Sequence, residues 1–371
     1  MQKHIIITKL FEFGGSNTHL ETLIKYFGKE NVVLILEDKT QLQYLNRIDG
    51  ANNIHVEVKS NLYPHAHLRY RFTTNVKELF RIFRSILTIQ ILSIQHGFAD
   101  ITICAVEPEK HLYLFWLPFS KVIYILHTVP NKKYTSITSY TCNLFLGKRK
   151  QIVTVSNSNK NLICVNWDIS CRKKRHISVI YNCIIENELN VEQKTKVSNA
   201  QFIVTLGHVI NYKNPSIWLE VAKIVTSARK NADFIWLGNG PLLEDFKKAT
   251  QKTKRIIFQG LVIDPDSYLK NASIYYQPSL HETHGIAVVE AMYNSLPCVV
   301  ANIGGLPESV KGEYNGILVD PHNIQENADS IIQLLDNDEL RYGYGSNSYK
   351  RYNELFTYSR FKVRMDEVYL K

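Results

Sequence analysis

The sequence predicts an α/β protein built from two doubly wound domains facing each other across a cleft, and three observations carry that reading. The chain is 371 residues long, too long for one ordinary hydrophobic core. Short β-branched runs alternate with amphipathic stretches, and the alternation occurs in two series. A polar stretch at residues 186–200 separates the series and reads as a linker.

In the first series, residues 5–8, 32–36, 101–105, 122–126 and 152–155 are runs that read as strands buried on both faces of a parallel sheet. Residues 18–27 and 75–94 read as helices between them. In the second series the strands are 202–206, 234–237, 256–259, 274–277 and 298–301. The expected domains are 1–185 and 201–348. Residues 349–371 come last, with Tyr352, Leu355, Phe361, Val363 and Val368 at helical spacing. In open sheets of this kind ligands bind outside the carboxyl ends of the strands, so the loops after the strands are where a site is expected.

Composition narrows the class. With 45% hydrophobic and 21% charged residues the chain is globular. The longest apolar candidate, 112–126, is interrupted by Pro118 and Lys121, so no membrane-spanning helix is expected. The first residues run straight into a strand pattern and do not resemble a signal peptide. The six cysteines, at 104, 142, 164, 171, 183 and 298, form no Cys-x-x-Cys pair. Reduced thiols in a cytoplasmic protein are the simplest account. Histidines and carboxylates form no cluster with metal-ligand spacing along the chain, so no metal and no cofactor is expected.

The net charge of +10 is unevenly placed. Residues 1–195 carry 25 Lys and Arg against 15 Asp and Glu, while residues 196–371 carry 19 against 19. Such asymmetry points to a partner that the first half meets and the second does not. Lys59, Arg69, Arg71, Lys77, Arg81 and Arg84 are interleaved with Tyr63, Tyr70, Phe72, Leu79, Phe80 and Phe83. That pattern is compatible with an amphipathic element lying on anionic lipid, or with a solvated helix face. Arg172, Lys173, Lys174 and Arg175 form a second cluster. None of these residues stands in a nucleic-acid-binding motif, so no nucleic-acid partner is expected.

The most informative stretch is His281-Glu282-Thr283-His284-Gly285-Ile286-Ala287-Val288-Val289-Glu290, running on to Pro297. Gly285 opens an apolar helix whose first backbone N–H groups and positive dipole end suit an anion such as a diphosphate. Glu282 stands before that anion position and Glu290 eight residues on. At ~1.5 Å rise per residue, the helical part between them covers roughly the reach from a sugar to a ribose. By spacing alone, a solvated Glu290 on an ordinary helix is the better account of the pair.

The context resembles one family. After this stretch come Pro297-Cys298-Val299-Val300-Ala301, then Gly304-Gly305-Leu306-Pro307-Glu308, then Asn315-Gly316-Ile317-Leu318-Val319. In order and spacing these resemble the Glu-x7-Glu region of retaining glycosyltransferases of GT-B architecture, the large nucleotide-sugar family numbered four. Further landmarks are Gly14-Gly15 with His19, His127, Val155-Ser156-Asn157-Ser158, Tyr181-Asn182, Gly207 to Lys213, Gly238-Asn239-Gly240 and Gly260.

The resemblance implies a GT-B fold of two Rossmann-like domains, the first for the acceptor and the second for the donor, with the helix in 349–371 packing back on the first. It implies a hexosyltransferase type of enzyme acting without a metal, whose donor is a UDP- or GDP-linked sugar. The acceptor would be a glycan or polyprenyl-linked glycan of bacterial surface polysaccharide or glycolipid synthesis, at the inner face of the plasma membrane. Residue by residue, it implies that Glu282 holds the sugar 3- and 4-hydroxyls and Glu290 the ribose. Backbone amides at His284, Gly285 and Ile286 would bind the sugar and phosphate, with Thr283 and His284 lining the sugar position. Leu261 and Val262 would meet the base, Lys213 the diphosphate, and His127 the donor sugar near its reacting face. Gly14 and Gly15 would let the backbone approach the phosphate or acceptor closely.

One position departs from the family. Where an arginine usually stands five residues before the lysine, this chain has His208. Neutral imidazole offers a single donor where guanidinium offers a fork of donors and a permanent charge. Either His208 is protonated beside the phosphates or another residue supplies the charge. A non-catalytic, glycosyltransferase-like partner subunit is the alternative reading that this departure keeps open.

Overall fold

The computed structural model describes residues 3–12, 14–48, 51, 54–62, 76–105, 107–108, 110–130, 135–185 and 201–370, with the main chain alone for 61, 76–79 and 135–137. The linker at 186–200, and Tyr63, Arg69, Tyr70, Arg71 and Phe72 of the basic stretch, lie outside the described residues, as do the side chains of Lys77 and Leu79. The chain divides into unit 1, Met1–Asn182 with Phe361–Lys371, and unit 2, Cys183–Arg360.

Unit 1 contains strands β1 (His4–Thr8), β2 (Val32–Leu36), β3 (His55–Val58), β4 (Asp100–Ala105), β5 (Val122–Leu126), β6 (Lys150–Thr154) and β7 (Ile177–Val179). Helices α1 (Gly15–Phe27), α2 (Val76–Gln95), α3 (Thr135–Phe145) and α4 (Asn157–Asn166) connect them. The sheet order is β3-β2-β1-β4-β5-β6-β7, and all pairs are parallel. Its central strands are buried on both faces, as Ile5, Ile6 and Ile7 of β1 and all five residues of β2 are. Parallel strands covered by helices on both sides therefore read as unbroken apolar runs.

Unit 2 contains β8 (Gln201–Leu206), β9 (Ala232–Leu237), β10 (Ile256–Gly260), β11 (Ile274–Gln277), β12 (Cys298–Ala301) and β13 (Gly316–Val319). Its helices are α5 (Pro215–Ala228), α6 (Leu243–Thr250), α7 (Pro265–Asn271), α8 (Ile286–Tyr293), α9 (Leu306–Ser309), α10 (Ile324–Asp336) and α11 (Asp338–Leu355). The order β10-β9-β8-β11-β12-β13 is again wholly parallel. An aromatic cluster fills its core: Trp218 meets Trp236 at 5.3 Å and Phe258 at 4.9 Å between ring centroids. Both indoles keep a partner for their N–H, Trp218 on Thr205 Oγ1 at 2.7 Å and Trp236 on the Gly207 carbonyl at 2.8 Å.

Three strands stand where the sequence reading had none. β3 and β7 are edge strands with mixed burial, and the ends of β13 alone are buried, so none has the long apolar run of a central strand. The tail is two helices, α11 ending at Leu355 and α12 (Tyr358–Tyr369). Phe361 and Val368 of α12 are buried, whereas Val363 is exposed. None of the six cysteines is in a disulfide.

Candidate functional site

In unit 2 the expected residues gather at the carboxyl ends of the strands, and glycines determine how closely. Gly207 follows β8 with φ +147° and Gly238 follows β9 with φ +144°. A Cβ on Gly238 would lie 2.0 Å from the Gly207 carbonyl oxygen, and one on Gly240 2.5 Å from that of Val209. The two loops thus touch main chain to main chain, which no side chain permits. The loop after Gly207 ends in a 3-10 turn, Asn211–Lys213. Asn214 pins it: the side-chain amide donates to the carbonyls of Pro278 at 3.1 Å and Pro321 at 2.9 Å. Leu280 N also donates to the Tyr212 carbonyl at 2.7 Å.

This anchoring sets Lys213 beside Glu282. Lys213 Nζ donates to Glu282 Oε2 at 2.5 Å, with both side chains largely buried. Gln277 Nε2 donates to the same oxygen at 2.9 Å, and the Tyr275 hydroxyl donates to Gln277 Oε1 at 2.6 Å. A polar chain therefore runs Tyr275, Gln277, Glu282, Lys213. Tyr275 and Gln277 were not among the expected site residues. Their signal was the period of two on β11, which brings a tyrosine and a glutamine to one face at the strand's carboxyl end. Burial, and then the negative charges of Glu290 and Glu282 among its neighbours, push the Tyr275 hydroxyl well above its usual range. Both glutamates of the sequence pair thus act on one buried hydroxyl.

The Glu282 to Gly285 turn is braced by a second pair of glycines. A Cβ on Gly304 would stand 1.9 Å from the Glu282 carbonyl oxygen, and one on Gly305 2.2 Å from that of Thr283. Gly305 N donates to the Glu282 carbonyl at 3.1 Å. Gly285 has φ +86° and is the N-cap of α8, so the helix opens at Ile286 with its first-turn N–H groups directed out of its end. Glu290 lies half-buried on this helix. His284 is 1% exposed and packs edge-on against Phe356 at 5.4 Å. Burial lowers its pKa to about 4. The expectation that His284 lines the sugar position therefore applies to its main chain, the imidazole being core.

His208 is half-buried, and burial followed by the nearby Lys213 charge lowers its pKa, against a hydrogen bond with the Asn239 main chain. Without a ligand both influences favour the neutral imidazole. Leu261 and Val262 follow β10 on their own loop, Leu261 exposed and Val262 half-buried.

Unit 1 gathers a second group at its carboxyl edge. Gly14, at φ +131°, caps α1, and Gly15 is its first residue, so the helix starts three residues before the expected Thr18. His127 follows β5 directly. Its ring meets that of His19 edge to face at 4.3 Å. His19 Nδ1 shares a hydrogen bond of 3.1 Å with Asn182 Oδ1. Burial lowers His127 to about 4 and takes His19 well below its ordinary value, so both rings are neutral.

Two doubly wound parallel units, each with its candidate residues after the strand ends, define a protein of the GT-B class. Residues 186–351 match the model of the family described as glycosyl transferases group 1. The chain is similar along 99% of its length, and 99% of the other, to Anabaena HepE solved in complex with UDP and glucose, at a TM-score of 0.75 and 17% identity. It is 25% identical, over 54% of itself and 42% of the relative, to poly(ribitol-phosphate) alpha-N-acetylglucosaminyltransferase of Staphylococcus aureus. It is 27% identical, over 48% of itself and 52% of the relative, to UDP-Gal:alpha-D-GlcNAc-diphosphoundecaprenol alpha-1,3-galactosyltransferase of Escherichia coli. The chain spans about half the length of these curated relatives.

Proposed function

We propose that this protein is a retaining, metal-independent glycosyltransferase that moves a sugar from a UDP- or GDP-linked donor to a glycan or lipid-linked glycan of a bacterial surface polymer. The observation that carries the reading is the Lys213–Glu282 pair, held by Gln277 beside the opening of α8. The activities named for the two curated relatives, and the UDP in the HepE structure, support the same substrate class.

The chemistry rests on charge. Leaving-group departure builds negative charge on the diphosphate and positive character on the sugar, and fixed donors that meet the former lower the barrier. Lys213 and the first-turn N–H groups at Gly285 and Ile286 are the donors of unit 2. A diphosphate competes with Glu282 for Lys213, which releases the carboxylate to accept from sugar hydroxyls. Glu290 takes the ribose, Leu261 and Val262 the base, and the neutral His127 the donor sugar. Attack from the leaving-group face, with a diphosphate oxygen accepting the acceptor's proton, retains configuration without a protein nucleophile. Thermal shift with UDP-, GDP- and ADP-sugars tests the donor: a selective rise of the midpoint is expected, and no rise with any of them overturns the reading.

Neutral His208 beside Lys213 favours one second reading, a glycosyltransferase-like subunit without activity. That reading requires neither donor hydrolysis nor transfer, which an assay of released nucleotide distinguishes. On α2, Phe80, Phe83, Leu87, Ile91 and Ile94 are exposed together with Arg81 and Arg84. The apolar stripe with its flanking cations matches an anionic lipid surface, consistent with a lipid-linked acceptor. Cosedimentation with anionic vesicles at low and moderate salt is expected; its absence at both discards the membrane contact.

A further inference from the structure

Unit 1 brings together three potential metal ligands that lie far apart in the chain. His55 and Glu57 alternate onto one face of β3, at the edge of the sheet. His96 arrives from the end of α2, 39 residues beyond Glu57. Linear spacing, from which no metal was expected, does not reveal this grouping.

We propose that His55, Glu57 and His96 bind a borderline transition-metal ion, zinc above all. The ligand atoms of the three residues all lie within 4.8 Å of one another. His55 Nε2 stands 3.1 Å from Glu57 Oε1, and His96 Nε2 3.9 Å from the same oxygen. Around zinc, bonds of about 2.0–2.2 Å at tetrahedral angles put neighbouring ligand atoms roughly 3.4 Å apart. Closing on an ion therefore takes only small side-chain adjustments. The two imidazole rings are inclined by 60° with centroids 5.7 Å apart, so they are not stacked face to face.

The donor set selects the ion. Two imidazoles and one carboxylate suit zinc, cobalt, nickel or iron(II), whereas magnesium and calcium prefer oxygen. Lys59 pairs with the other Glu57 carboxylate oxygen, Oε2, at 3.0 Å and leaves Oε1 to the histidines. The ion replaces the shared proton between His55 and Glu57, and Lys59, 37% exposed, has solvent into which to turn.

The scaffold also holds His96 in place. Its N–H continues the helix to the Leu92 carbonyl at 3.1 Å, and the chain then turns through Gly97 at φ +74° and Phe98 at φ +61°. Ser93 fixes that turn, its hydroxyl donating to the Ala99 carbonyl at 2.7 Å while Ala99 N donates to the Ser93 carbonyl at 3.0 Å. Because all strands of this sheet run the same way, the start of β3 lies at the amino-terminal edge, opposite the edge where Gly14, Gly15 and His127 follow β1 and β5. The metal therefore clips edge strand β3 to the end of α2 and takes no part in sugar transfer. The site stands independently of the proposed activity.

The test uses full-length protein stripped with a chelator and titrated with zinc against an indicator, with cobalt absorption as a second probe. One saturable equivalent per chain is expected, with millimolar magnesium not competing. His55→Ala and His96→Ala should each weaken it about tenfold or more, and Glu57→Gln should weaken it while removing no ring. Cys171→Ser, which removes the exposed thiol, should leave it unchanged. Zinc should raise the melting temperature of the wild type and not that of the His55→Ala/His96→Ala double variant. Absence of a saturable equivalent at micromolar zinc, or binding retained in the folded double variant, overturns the proposal.

Discussion

In unit 2 the candidate residues meet through an ion pair, Lys213 on Glu282 at 2.5 Å, whereas in unit 1 they meet as rings, His127 on His19 at 4.3 Å. The same doubly wound architecture supports both, and the same strand edge presents both. The difference lies in the loops beyond the strand ends. In unit 2, glycines at 207, 238, 304 and 305 let main chain touch main chain, so a short loop can place a lysine opposite a carboxylate. In unit 1, burial removes the proton from each histidine and leaves shape and neutral donors. The candidate residues of unit 2 thus include a charged pair and those of unit 1 neutral rings, although unit 1 lies in the half of the chain that holds the excess of basic residues.

The strongest way to break this contrast is Glu282→Ala. Transfer should be abolished in a protein that still folds, with a melting temperature lowered because Lys213 and Gln277 lose their buried partner; near-normal turnover would refute a role for the carboxylate in holding the sugar. Lys213→Ala should cost about 3 kcal/mol of transition-state stabilisation, or about two orders of magnitude in kcat/KM. A change below about threefold would take the diphosphate away from this lysine and leave the pair a structural one.

How far the sequence revealed this arrangement depended on burial. The central strands were legible because burial on both faces makes an unbroken apolar run, as in Val32–Leu36. The edge strands β3 and β7 were not, since half-exposed positions such as Glu57 interrupt the pattern. Glu282 and Lys213 were singled out by resemblance to a family and Gly285 by its place before an apolar helix, but the contact between Lys213 and Glu282 spans 69 residues and no local rule contains it. Gln277 stayed hidden because it closes a strand that was read as core, and His284 was placed facing the ligand because the direction of a side chain in a turn depends on backbone angles. The His55, Glu57 and His96 cluster was invisible for the same reason as the ion pair: the fold, not the chain, makes the neighbours.

The smallest effect sharpens the contrast through pH. His111, 7% exposed, has its pKa lowered to about 3 by burial and then by Lys110, and His4, His19 and His127 of unit 1 are lowered mainly by burial. In unit 2 the described histidines with a resolved lowering are His208 and His284. A histidine whose folded pKa lies below its unfolded value binds fewer protons in the native state. Its stabilising contribution is complete above the ordinary 6.5 and is lost as pH falls from there toward the folded value. For His111, acidification from pH 7 to pH 5 should remove about 2 kcal/mol. Because more such groups lie in unit 1, its amides should lose hydrogen-exchange protection first as pH falls, after correction for intrinsic rates. If unit 2 opens first, the neutral histidines do not distinguish the two units and the contrast rests on the ion pair alone.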